Sequence, residues 1–211
     1  MAPHTSAMER PSSMLSELRG ATASRHARLD RVSLEIRPTQ VTRASYVAFL
    51  RGMLAIVRPL EEGLQAFPSF EEQVPNAPLR RRAYRLTSDL QSLGVAALPR
   101  LDAPNLPAIE SMSQAFGCSY VLEGSSLGGA VLARTLGPKL QLSFSAGMSY
   151  WAAYGDQVGP MWTSFVAALE LWAAGATESD RRAAVASACA TFDAFITQTS
   201  ARNAASTGCA P

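Results

Sequence analysis

AIESMSQAFGCSYVLEGSSLGGAVLARTL, running from Ala108 to Leu136, is the stretch whose reading decides the fold. It is too long for a strand of a globular protein, and it stops at Gly137-Pro138, the residue types that end helices. The spacing therefore predicts one long helix. Inside it, YVLEGSSLGG (Tyr120–Gly129) carries Gly124, Gly128 and Gly129. Each glycine within a helix costs about 1 kcal/mol relative to alanine, so three forgo roughly 3 kcal/mol. Gly124 and Gly128 lie one turn apart, with Tyr120 one turn and Gly117 two turns before Gly124. Ser125 and Gly129 form the neighbouring stripe. The result is a strip of helix almost without side chains, rimmed by a phenol. Two readings are open: another helix packs closely on the small residues, or something flat lies directly on the backbone.

The rest of the chain reads as further helices. Ser13 is an N-cap for MLSELRGATASRHARLDRVS, with Leu15, Leu18, Leu29 and Val32 at helical spacing and Pro38 beyond its end. A second helix is expected from Thr42 to Leu64, kinked or broken near Pro59. A third is expected from Leu79 to Leu93, stopping at Gly94. Pro99, Pro104 and Pro107 mark a loop. After the long helix, Leu140–Ala153 is expected to be helical, and Pro160 starts a helix that ends before Gly175. Thr177 and Asp180 resemble a capping box for a last helix reaching about Thr199. No run shows strand alternation. The expectation is an all-α, compact, single-domain multi-helix bundle over residues 13–200. Flexible tails are expected at 1–12 and 201–211.

Composition narrows the function. With 211 residues, 47% of them hydrophobic, the chain has material for one sizeable core. A net charge of +2 gives no case for nucleic acid. The three cysteines, Cys118, Cys189 and Cys209, show no metal-binding spacing, and their odd number argues against a disulfide framework. Cys118 falls away from the glycine strip and reads as a core cysteine. The opening MAPHTSAMERPSS lacks the apolar core of a signal peptide, and no apolar run is long enough to span a bilayer. A soluble protein of the reducing cytoplasm is expected. Arg80, Arg81, Arg82 and Arg85 read first as a solvated helix face, and second as a dock for an acidic partner.

Of the two histidines, His4 lies in the expected tail, which leaves His26 as the imidazole of the folded part. At about 100° per residue, His26 shares a face with Leu15, Arg19, Thr22 and Leu29. Such a histidine is commonly a hydrogen-bonded boundary residue. It is too few for zinc, which takes three or four protein ligands. It suffices for a haem iron, where the porphyrin supplies the equatorial nitrogens. Arg19, two turns earlier and about 10 Å away along the axis, suits a propionate at the haem edge. A haem between a helix bearing His26 and a helix bearing bare glycines uses every one of these features.

LRGATASRHARLD (Leu18–Asp30) resembles the proximal helix of haem oxygenases. YVLEGSSLGG resembles their distal helix, in the bacterial form often encoded beside bacteriophytochromes. YWAAYG (Tyr150–Gly155), GPMW (Gly159–Trp162) and Phe165 agree in order. The resemblance implies that His26 is the proximal iron ligand, that Arg19 and Tyr120 hold propionates, and that Gly124 and Gly128 let the distal helix bend over the haem, flanked by Ser125 and Gly129. It implies a heme oxygenase in which haem is both substrate and cofactor. O2 and external electrons then cleave a meso bridge to biliverdin, carbon monoxide and ferrous iron. No flavin, dinucleotide or iron–sulfur motif is present, so a ferredoxin or flavoprotein reductase is the implied donor, with a bacteriophytochrome as recipient of the biliverdin. Mammalian-type members carry an aspartate where this chain has Ser125, so other groups must order the distal water.

Two further classes use the same residues. A non-catalytic haem carrier or sensor keeps His26 and the glycine strip without turnover. A helical interaction protein uses the glycines and the aromatics Tyr150, Trp151, Tyr154 and Trp162 for packing alone.

Overall fold

The computed structural model describes residues 12–33, 40–96 and 106–207, with side chains as far as residue 200. His4, Pro38, Pro99, Pro104 and most of the two expected tails lie outside the described residues. The helices are α1 (Met14–Val32), α2 (Arg43–Gln65), α3 (Pro68–Gln73), α4 (Ala77–Arg80), α5 (Ala83–Ser92), α6 (Met112–Leu140), α7 (Ser149–Ala152), α8 (Val158–Gly175) and α9 (Glu178–Thr207). Among the described residues the only β pairing is two isolated bridges at Ser143, so the all-α expectation holds. No helix among them is long and apolar enough to cross a membrane.

The long helix α9 is the spine, with both α1 and α6 laid along it. α8 packs on α6 and α1, α2 on α5, and α7 between α5 and α6. Their shared core includes Tyr46, Leu50, Phe116, Leu136, Tyr150 and Phe165, each almost wholly buried. Burying a side chain of this size contributes roughly 1.5–3 kcal/mol. The core also fixes α6 against α9 very closely. A Cβ on Gly117 would lie 2.1 Å from the carbonyl oxygen of Ala184. Gly117→Ala is therefore expected to lower stability by about 1–3 kcal/mol or more despite its better helix propensity. A denaturant melt that matched the parent protein would refute this.

Three carboxylates tie the bundle together by starting other helices. The first backbone N–H groups of a helix have no partner within it, and its dipole favours a negative charge there. Glu170 of α8 accepts from the N–H groups of Met14 and Leu15 at 3.1 and 2.9 Å. Glu61 of α2 accepts from those of Arg82 and Ala83 at 2.7 and 2.9 Å. Asp89 of α5 accepts from those of Ser149 and Tyr150 at 2.8 and 2.9 Å.

These caps explain most departures from the expected boundaries. The single helix expected over Leu79–Leu93 is two helices, because Glu61 draws the backbone at Arg82–Ala83 into a new start. Leu140–Ala153 is largely not helical: α6 closes at Gln141 in the left-handed region, Gly147 has a φ of +85°, and only Ser149–Ala152, held by Asp89, is helical. α6 runs through Pro138 because the buried Leu140 extends its apolar stripe at the loss of one backbone bond. α2 likewise runs through Pro59. Thr177 and Asp180 form the expected box, each bonding the other's backbone N–H. α9 continues beyond Thr199 to Thr207.

The start of α1 is also tied to α9 by Arg181, whose Nη2 donates to Glu17 Oε1 at 2.6 Å. The Arg181 hydrogen bond holds the Glu17 carboxyl below its ordinary value. A lowered folded-state value stabilises above the ordinary carboxylate range, and the benefit is lost as pH falls through the folded value. Glu17→Gln should therefore unfold at lower temperature than the parent at pH 7, and the gap should close in acid. Thermal melts across pH check this; a gap that widened in acid would contradict it.

Candidate functional site

α9 places α1 and α6 as two walls on one support. On α1, Arg25 pairs with Asp193 of α9 at 3.0 Å, and the His26 ring lies 5.8 Å from that of Phe192. Thr22, one turn before His26, is buried, whereas the His26 side chain is 65% exposed. The imidazole is thus not a core residue. Its Nδ1 lies 3.0 Å from Asp30 Oδ2. A carboxylate accepts from N–H, so in the neutral ring this contact favours the Nδ1–H tautomer, whose Nε2 lone pair is free for a ligand. Among the described residues no polar group bonds Nε2. Arg19 is exposed on the same face of α1.

On α6 the glycines divide in two. Gly117 is pressed on α9, and a Cβ on Gly129 would sit 3.1 Å from the Trp151 carbonyl oxygen. For these two, close packing is the reason for glycine. A Cβ on Gly128 would meet nothing within 4 Å, and one on Gly124 only Trp162 Cζ3 at 3.9 Å. Among the described residues only the Trp162 ring edges that strip, at its Gly124 end. Leu127 and Val131, on the same side, are 46% and 60% exposed. An open apolar helix face around bare backbone suits a flat apolar ligand. Tyr120 stands at the rim, its ring 6.1 Å from that of Trp162. Ser125 is turned inward: its Oγ donates to the Leu122 carbonyl at 2.6 Å.

The expected site residues therefore fall into three groups. His26 and Arg19 are exposed on α1. Gly124, Gly128 and Tyr120 form the open strip and rim of α6. Gly129 belongs to the packing, and Ser125 is bonded to its own helix. Cys118 is fully buried, burial pushes its thiol up to about 12, and it has no part in the open face. No three His, Cys, Asp or Glu side chains come together among the described residues as a metal site.

A second polar group, absent from the sequence reading, lies behind the strip. Glu123 is 3% exposed. Its Oε2 accepts from Arg80 Nη1 at 2.5 Å and its Oε1 from the Tyr154 hydroxyl at 2.8 Å. Arg82, also 3% exposed, has its guanidinium 5.2 Å from the ring centres of both Tyr150 and Tyr154 and donates to the Leu122 carbonyl at 2.7 Å. Arg80 and Arg82 are thus not part of a solvated face. Burying two cations is tolerable because Glu61 and Glu123 balance their charge, although Arg82 Nε has no hydrogen-bond partner among the described residues. The signal for this in the sequence was Glu123 itself, a carboxylate on an otherwise apolar helix face, which must be paired if buried.

A profile of one protein family, heme oxygenase, matches residues 12–201. No curated protein matches the sequence. Among solved structures, the chain is similar to the heme oxygenase of Neisseria meningitidis, whose NO- and CO-bound forms are described. That match has a TM-score of 0.76 and 24% identity, over 89% of this chain and 90% of that one. It is similar to heme oxygenase from Leptospira interrogans, with TM-score 0.75 and 17% identity over 90% and 100% of the two chains. Heme oxygenase-1 from the cyanobacterium Synechocystis in complex with heme matches with TM-score 0.73 and 15% identity over 90% and 92%.

Proposed function

The chain belongs to the heme oxygenase family, and from that premise we propose that it binds haem between α1 and α6 and cleaves it to biliverdin, carbon monoxide and ferrous iron. The observation that carries this reading is the open strip at Gly124 and Gly128 on one wall together with an exposed imidazole, its Nδ1 proton engaged, on the other. His26 Nε2 is the iron ligand, with Asp30 fixing the orientation of the ring. Arg19 and Tyr120 hold the propionates. Gly124 and Gly128 admit the ring face to the backbone, and Leu127 and Val131 exclude water beside it. The haem, as substrate, supplies the iron at which O2 is activated.

The residues point to no internal electron source, so a ferredoxin or flavoprotein reductase donates. The likeness of YVLEGSSLGG to proteins encoded beside bacteriophytochromes makes such a photoreceptor the recipient of the biliverdin, in the cytoplasm. The alternative, a haem carrier or sensor, draws on one observation: the Ser125 proton is spent on the Leu122 carbonyl and does not face the strip. Titration with ferric haem tests the shared premise. A sharp Soret band saturating at one equivalent is expected; no band would remove both readings.

A further inference from the structure

Three side-chain donors, one from behind α6 and two from α6 itself, converge on one turn of that helix. The Leu122 carbonyl accepts both Arg82 Nη2 at 2.7 Å and Ser125 Oγ at 2.6 Å, and the next carbonyl, of Glu123, accepts Ser126 Oγ at 2.6 Å. Serine hydroxyls bonding back to their own helix open and bend it locally. All these contacts fall on the turn that leads into Gly124. The Glu123 side chain is fixed from α4 by Arg80 and from beyond α7 by Tyr154. Arg82 is itself placed by Glu61, which starts α5 at that residue. Tyr154 follows Ala153, a non-glycine residue at φ +43° and ψ −109°, a conformation that surrounding structure must hold against strain.

We propose that Arg82, Glu123 and Tyr154 are positioning residues that clamp the Leu122–Ser126 turn from behind and so set where the Gly124–Gly128 strip stands over a bound ligand. They touch neither the open face nor the ligand; they act through the Leu122 carbonyl and the Glu123 carboxylate. The clamp is made by this chain's own contacts, but its use rests on the haem-binding reading given above.

The test separates the two. Amide hydrogen exchange is measured on the full chain without haem, for Tyr154→Phe and Arg82→Gln. Losing the Tyr154 hydroxyl bond should speed exchange at Gly124–Gly129 about five- to tenfold, with Ala184–Phe192 of α9 unchanged. No local increase, or one that spreads equally into α9, overturns the clamp. If Arg82→Gln fails to fold, Tyr154→Phe still decides, since it leaves both ring contact and charge balance in place. With haem and CO added, Tyr154→Phe should keep the Soret band yet shift the carbon–oxygen stretch of bound CO. An unshifted stretch overturns the effect on the ligand. A parent protein that takes up no haem refutes the haem reading while the exchange result still judges the clamp.

Discussion

Replacing His26 with alanine is expected to abolish the Soret shift that marks iron ligation and to bring haem turnover to background, with almost no cost to the fold. The two halves of this expectation have separate grounds. The His26 ring is the only imidazole among the described residues, and alanine removes it entirely. Yet the side chain is 65% exposed, and its neighbours are the exposed Asp30 and the tilted ring of Phe192. Surface substitutions of this kind change unfolding free energy by about 0.5 kcal/mol or less. Haem titration and a denaturant melt on the same variant check both halves. Asp30→Asn should act in the same direction but less, weakening iron binding about 10- to 100-fold, because it removes the partner that orients the ring and not the ligand. A His26→Ala protein that kept the parent Soret band would show that another residue binds the iron.

Gly128→Leu is expected to separate stability from function in the opposite wall. A Cβ there meets nothing within 4 Å and the position is exposed, so exchanging glycine for a good helix former gains up to about 1 kcal/mol. The protein should melt at the same temperature or higher. The leucine side chain would stand where the ring must approach the backbone, so the saturating Soret band should be lost. Gly117→Ala makes the contrast: the same exchange of glycine for a better helix former, on the same helix, is expected to destabilise because Ala184 is in the way. If Gly128→Leu bound haem like the parent, the strip would not be the ring's seat.

The helical class was legible because periodicity and caps are local. Ser13, Thr42 and the Thr177/Asp180 box sit within three residues of what they bond. The boundaries that moved were those set from afar. Glu61 acts on a residue 21 positions on, and Glu170 on one 156 positions back, so no local spacing announces them. The arginine run misled for the same reason. Arg80 and Arg82 are buried by Glu123, Tyr150 and Tyr154, which lie 43 to 72 positions further along the chain and reach them only in the folded bundle. For the glycines the packing reading holds at two positions, and the other two are left nearly uncovered among the described residues. Gly117 and Gly129 face α9 and Trp151, while Gly124 and Gly128 face outward, and a single helix cannot show which of its neighbouring stripes will be covered. His26 was legible as a type, a lone imidazole, but its exposure and its Asp30 partner were not.

The most direct test of the account is turnover. The protein loaded with one equivalent of haem is given a reductase and ferredoxin in air, with electron delivery verified independently. The account requires the Soret band to decay, a broad red biliverdin absorption to replace it, and carbon monoxide to be released in proportion. Haem that stays bound and intact while electrons demonstrably reach it would contradict the enzyme and leave a haem carrier built on the same face.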